Sequence, residues 1–220
     1  MLKPRTVSKF KRVILSILVG ILITSVLVNV YLLFLNLSRN RVVRVIDGDS
    51  FETKDDRRIR LLGVNAPELD DCMGIKAREN LKIFIEGKTV KLRDLVKDDY
   101  GRVLANVFSG GKFINQEMIR LGMGKYTLGK NKYYQQMRNE FVTARQNNLG
   151  IFSSLCRRSE GEEGCEIKGN IRQGLKTYHF PGCRNYQQII VDTSFGDEWF
   201  CSEEEAVAAG FRKAEGCGEN

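Results

Sequence analysis

Three short polar groups hold the residues most able to do chemistry. Asp47-Gly48-Asp49 sets two carboxylates one residue apart. They suit a metal site, since carboxylates are hard oxygen donors, and they equally suit hairpin punctuation, since Asp-Gly is a favoured turn dipeptide. The stretch Arg60-Leu61-Leu62-Gly63-Val64-Asn65-Ala66-Pro67-Glu68 starts with a charge, runs apolar, and ends in a Pro-stiffened loop carrying an amide and a carboxylate. Its plain reading is a buried strand with solvated ends. Asp98-Asp99-Tyr100-Gly101-Arg102 also reads as an ordinary charged turn. Each group alone leaves both readings open.

The elements that must position these groups follow from periodicity. Val42 to Ile46 and Ser50 to Lys54 read as short strands joined at Asp47-Gly48, and Arg57 to Val64 reads as a third strand. Ile75 to Glu86 places Ala77, Leu81, Phe84 and Ile85 near one helical face. Thr89 to Arg93 and Val103 to Phe108 are strand-like, and helices are expected over Asn115 to Leu121 and Lys132 to Asn147. Strands, helix, strands and helices in that order describe a small mixed barrel with helices packed on it, an α+β unit that is mainly β, rather than alternating strand–helix repeats.

Taken together, in order and spacing, the motifs resemble the staphylococcal nuclease (thermonuclease) family: Val45-Ile46-Asp47-Gly48-Asp49-Ser50, Ile59 to Glu68, Asp98 to Arg102, Ile114-Asn115-Gln116-Glu117, Arg120-Leu121-Gly122 and Leu149-Gly150-Ile151-Phe152. The resemblance covers about residues 41–156. It implies an OB-fold barrel of five strands with three helices, and DNA and RNA as substrates. By position it makes Asp49 and Asn65 side-chain ligands of Ca²⁺, with the Ala66 carbonyl as a third. Glu68 matches the general base, Arg60 and Arg102 the phosphate-binding pair, and Tyr100 a substrate-phosphate contact. These types suit phosphodiester attack, which builds negative charge on phosphoryl oxygens where guanidiniums and a divalent cation stabilise it. Arg binds two oxygens at once and stays charged. The ligands are all oxygens and the single His179 lies outside this region, which disfavours a zinc or His-based site. Two departures stand out. Asn65 replaces a familiar Asp, and Asp99 falls where a basic phosphate contact is expected, so weaker calcium and substrate binding is expected. A catalytically weak nucleic-acid-binding module is the competing reading, and the retained Arg60, Glu68 and Arg102 favour the enzyme.

Charge and hydropathy add the surroundings. The formal net charge is +8. Residues 1–44 carry eight Lys/Arg and no acid, residues 45–158 are net basic, and residues 159–220 are net acidic. No charge lies between Arg12 and Arg39. Residues 13–35 span roughly 35 Å as a helix, enough for a hydrocarbon core of ~30 Å. The run exceeds the apolar stretch of a cleaved signal peptide and lacks a small-x-small site after it, so an anchor is expected, with residues 1–12 as a cytoplasmic basic tail and the remainder outside.

Residues 157–164 read as a linker and 165–220 as a small second module. There Ile167-Lys168-Gly169-Asn170-Ile171, Thr177 to Gly182 and Trp199 to Glu203 resemble a small "sunset" domain appended to such nucleases. The six cysteines suit disulfides in an oxidising compartment. Similarity to secreted relatives implies a Cys72–Cys156 bridge. Cys165, Cys183, Cys201 and Cys217 lack a Cys-x-x-Cys pair and read as two disulfides more than as a zinc site shared with His179.

Overall fold

The computed structural model describes residues 4–98, 101–127, 131–158, 161 and 163–218. An N-terminal helix, α1 (Pro4–Arg39), starts at a proline, whose missing N–H costs nothing in a first turn. Within it Ile14–Leu33 has a mean hydropathy of 2.4 and no part buried against the rest of the protein. It is long and apolar enough to cross a membrane. The helix enters the globular part almost directly: Val90 N–H donates to the Asn40 carbonyl (3.1 Å) and Arg57 to the Asn40 side chain (2.7 Å).

The next unit comprises β1 (Val42–Val45), β2 (Ser50–Thr53), β3 (Arg58–Leu61), β4 (Val64–Asn65), α2 (Gly74–Ile85), β5 (Lys91–Lys97), β6 (Val103–Ser109), β7 (Lys112–Phe113), α3 (Ile114–Arg120), β8 (Lys125–Tyr126) and α4 (Tyr134–Gln146). The main sheet runs β1-β2-β3-β6-β5, with β7 beside β6. Only β3–β6 is parallel in it, and the chain between them includes α2 and β5. The expected α+β unit with its helices forms, but the closed five-stranded barrel does not. Edges β1 and β5 are not joined by a ladder; beyond them an Arg41–Thr89 bridge and bonds such as Val42 N–H to the Lys88 carbonyl (2.9 Å) tie the chain ends. These contacts fall on residues 40–42 and 87–90, at the start of β1 and before β5, so the two strands do not run side by side along their lengths. The third expected strand is also cut short. Gly63, at φ +77°, breaks it, and Val64–Asn65 pairs separately with β8.

Phe51, Ile59, Leu61, Ala77, Leu81, Ile85, Val107 and Met118 form the core, which pins β3 and α2 on opposite sides of the loop between them. Asn115, fully buried at the start of α3, links three backbone segments. Its Oδ1 accepts from Val107 N–H (2.9 Å) and its Nδ2 donates to the Leu62 and Ala105 carbonyls (both 3.0 Å). Asn115→Ala is expected to destabilise the fold by about 3 kcal/mol, since buried backbone groups would lose partners. A denaturant midpoint measured on both variants checks this. A loss below about 1 kcal/mol would mean water replaces the amide easily.

The C-terminal module holds β9 (Ile167–Arg172), β10 (Leu175–His179), β11 (Glu198–Phe200), α5 (Glu203–Ala208) and β12 (Arg212–Lys213), in sheet order β11-β9-β10-β12. The expected helix after Ser202 forms: Ser202 Oγ accepts from Glu205 N–H (3.2 Å), Glu205 reaches back to Cys201 N–H (2.9 Å), and Gly210 follows at φ +83°. Disulfides join Cys165 to Cys201 and Cys183 to Cys217. The third, Cys72–Cys156, forms as expected.

The two modules are in contact. Cys72 N–H donates to the Thr193 carbonyl (3.1 Å) and Thr193 N–H to the Cys156 carbonyl (3.0 Å). The Asp192 carboxylate holds Arg157 (3.1 Å) and Lys125 (3.2 Å) of the first module. The expected linker at 157–164 therefore begins with a docked residue. That interface is not legible from composition, because Asp192 and Lys125 lie far apart in the chain.

Candidate functional site

Asp49 ends the β1–β2 turn. Asp47 Oδ1 accepts from Asp49 N–H (2.9 Å), closing an Asx turn, and Leu61 N–H donates to the Asp49 carbonyl (2.8 Å). Gly48 is required here by proximity rather than by its backbone angle. A Cβ on it would lie 2.6 Å from the side chains of both Ala66 and Ala77. The turn thus packs onto the Ala66 loop and onto α2, driving Asp49 inward until it is 2% exposed.

The buried Asp49 carboxylate accepts from Ser50 Oγ (2.8 Å), from Ala66 N–H (3.0 Å) and from Arg60 Nη2 (2.7 Å). The same Arg60 nitrogen donates to Asn65 Oδ1 at 2.8 Å. Three residues from three elements therefore meet at one atom. Burial pushes the Asp49 carboxyl up to about 7, outweighing the Arg60 guanidinium, which pulls it down, while Asp47 adds to the rise. A carboxylate and an amide oxygen converging on one positive group suit a hard cation.

Arg102 lies one residue before β6. Arg60 pairs with Leu104 in the parallel β3–β6 ladder, so Arg102 shares the sheet face of Arg60. Its guanidinium bonds Asp98 at 2.7 Å. Glu68 is exposed in the loop before α2 and makes no side-chain hydrogen bond or ion pair among the described residues. Its backbone is fixed: Asp71 N–H donates to the Glu68 carbonyl (3.0 Å), and a Cβ on Gly74 would lie 1.7 Å from that oxygen. Tyr100 and Asp99 fall outside the described residues.

The fold thus brings Asp49, Arg60, Asn65 and Ala66 into one cluster and sets Arg102 on the same sheet face. Glu68 and Arg102 are not bonded to that cluster. Two supporting residues escaped sequence reasoning: Gly74, for which a lone glycine is no signal, and Lys125, whose neighbourhood is purely tertiary. Lys125 is the cross-strand partner of Asn65. Burial pushes its ammonium down, with Asp192 opposing.

Residues 58–154 match the family model described as staphylococcal nuclease homologue. An uncharacterized endonuclease of Escherichia coli is 42% identical over 86 residues, covering 37% of this chain and 56% of that protein. Micrococcal nuclease of Shigella flexneri is 31% identical over 128 residues, covering 52% of this chain and 74% of that protein. Endonuclease YhcR of Bacillus subtilis is 27% identical over 205 residues, or 78% of this chain and 16% of that protein. The chain spans about half the length of the curated relatives it matches first.

Proposed function

The chain belongs to the staphylococcal nuclease homologue family, and on that premise we propose that it is a calcium-dependent nuclease that hydrolyses phosphodiester bonds in DNA and RNA, leaving 3′-phosphates. The observation that carries the reading is the convergence of Asp49 Oδ2 and Asn65 Oδ1 on Arg60 Nη2, at 2.7 and 2.8 Å. Oxygen donors and a guanidinium meet there on the face that also carries Arg102.

In this mechanism Asp49, Asn65 and the Ala66 carbonyl would hold Ca²⁺, which when bound would supply fixed positive charge beside the scissile phosphate. Arg60 and Arg102 bind the phosphate and stabilise the charge that develops as a water oxygen attacks phosphorus. Glu68, exposed to solvent, takes a proton from that water. The bond from phosphorus to the 5′ oxygen breaks, solvent protonates the leaving oxygen, and the phosphate stays on the 3′ side. Tyr100 is assigned a contact to the substrate phosphate. These groups address phosphate rather than base edges, which supports activity on both DNA and RNA.

Helix α1 supports single-pass anchoring in the cell membrane, with residues 13–35 as the span and the nuclease part outside the cytoplasm; a signal sequence would share its composition. Three disulfides favour the outward side.

The test incubates the full chain with single-stranded DNA, duplex DNA and RNA, in Ca²⁺ or chelator, and identifies product ends. Full activity in chelator refutes the calcium assignment, and binding without products favours a nucleic-acid-binding module. Asn65→Asp is expected to lower the calcium needed for half-maximal activity, because charged ligands strengthen calcium sites. A calcium titration of both variants at fixed ionic strength reads this out. An unchanged or higher requirement means Asn65 is not a ligand.

A further inference from the structure

A cleft of about 620 Å³ opens along the seam between the modules, and its charged lining is all positive: Arg145, Arg157, Arg158 and Lys168. Lys168 is the sharpest feature. It is 7% exposed, yet no carboxylate pairs with it among the described residues. Its Nζ donates to the Tyr186 and Ile189 carbonyls (3.1 and 3.0 Å), which uses two of three N–H bonds. The Tyr186 and Trp199 rings lie 4.3 and 5.4 Å from the ammonium, so carbonyl dipoles and ring faces hold this cation while its full charge stays unneutralised by any carboxylate among the described residues. Arg157 Nε is likewise buried and unpartnered, although its other end holds Asp192. Arg145 and Arg158 are exposed and make no ion pair among the described residues.

A second, smaller cleft shares Arg145, Phe152, Arg157 and Ile190 with the first and adds Lys125 and Arg172. The one acid there, Asp192, is already spent on Lys125 and Arg157. Lys125 in turn sits opposite Asn65. Lys125 thus stands between the Asp49–Arg60–Asn65 cluster, which it neighbours through Asn65, and the seam, where its ammonium meets Asp192.

We propose that this seam is a second binding site for the sugar-phosphate backbone of a single-stranded nucleic acid, holding a stretch of strand away from the scissile bond. The assignment rests on the nuclease reading for the identity of the anion. Several spaced cations suit a polyanion more than one phosphate, and Ile189 and the exposed Ile190 offer apolar surface for sugars and bases. The C-terminal module, which supplies Lys168 and the Ile189–Ile190 wall, becomes a substrate-holding element.

The experiment measures binding of a labelled single-stranded DNA of about 16 nucleotides to the full chain in chelator, so that cleavage plays no part. The parent is compared with the Arg145→Ala/Arg158→Ala double variant, whose side chains are exposed and unpaired. Each lost phosphate contact flattens the dependence of log affinity on log salt by about 0.7 for single strands, so about 1.4 is expected here, with affinity down 10- to 30-fold at ~0.1 M salt. Calcium-dependent cleavage of a dinucleotide, too short to reach the seam, should stay unchanged. Unchanged affinity and salt dependence for the long strand overturn the proposal. So does an equal loss for the dinucleotide, or for inorganic tripolyphosphate, which would mark a lone anion pocket. Strand binding that weakens as expected while the parent cleaves nothing leaves the seam site standing and refutes the nuclease reading instead.

Discussion

Arg60→Ala is expected to lower turnover by roughly 10³-fold while leaving the protein folded, the upper end of what one deleted electrostatic stabiliser costs. The side chain has two tasks. Its Nη2 holds Asp49 and Asn65 in register at 2.7 and 2.8 Å, and the proposed mechanism also asks it to stabilise charge on the phosphoryl group. Arg102→Ala, which removes only the second task, should cost nearer 10².

The substitution also has a pH signature. Arg60 is the charge that pulls the Asp49 carboxyl down against burial. Without it the carboxyl titrates higher, and a cation competing with the proton needs a higher pH to win. Because the folded Asp49 stands near 7 against 3.8 for the free group, the folded state keeps a proton that the unfolded chain has lost between those values. Its contribution to stability is therefore greatest below about pH 4 and declines as pH rises to about 7. Calcium affinity should move oppositely, strengthening over the same window. The measurement is a pH series of turnover and calcium titrations for both variants. Arg60→Ala retaining more than a tenth of parental turnover, with an unshifted calcium–pH profile, would remove Arg60 from the machinery.

Opening the Cys72–Cys156 bridge should have the largest effect on stability. It closes a segment with a sequence separation of 84, for which chain entropy allows about 4.5 kcal/mol, or roughly 2 × 10³ in the folding equilibrium. The bridge is also where the modules meet, since Thr193 bonds both cysteine backbones. A Cys72→Ala/Cys156→Ala variant thus loses the cross-link and loosens the anchor of the Asp192 loop, which holds Lys125 beside Asn65. Denaturant unfolding of the full chain is expected to show a lower midpoint, with a separate early loss of the C-terminal module. A single transition displaced by less than about 1 kcal/mol would show that the bridge is incidental.

Much of the local structure was legible because its causes are local. The Asp47-Gly48 turn dipeptide between two short runs placed β1 and β2, and the spacing of Ala77, Leu81 and Ile85 placed α2, whose buried face carries those residues. The Ser202–Glu205 pairing announced α5. The third strand was overrun, because Gly63 looks like any small residue until its positive φ and the pairing of Val64 with Tyr126 are seen. The open barrel is likewise tertiary, since whether β1 and β5 lie side by side depends on residues far apart in the chain.

By itself the sequence determined a helix of membrane-spanning length, the residue types available for phosphate and metal chemistry, and the order in which they occur, since each is a property of one continuous stretch. Only the tertiary structure decided that Asp49, Arg60 and Asn65 meet at one nitrogen, that Cys165 pairs with Cys201 and Cys183 with Cys217, and that Asp192 reaches Lys125. Those are contacts between residues distant in the chain, and their distances depend on how the sheet, α2 and the second module pack, which no local pattern encodes. The basic seam is the clearest case. Its cations come from both modules, and the acidic balance of residues 159–220 gives no hint that Lys168 faces a cleft with no acid in its wall.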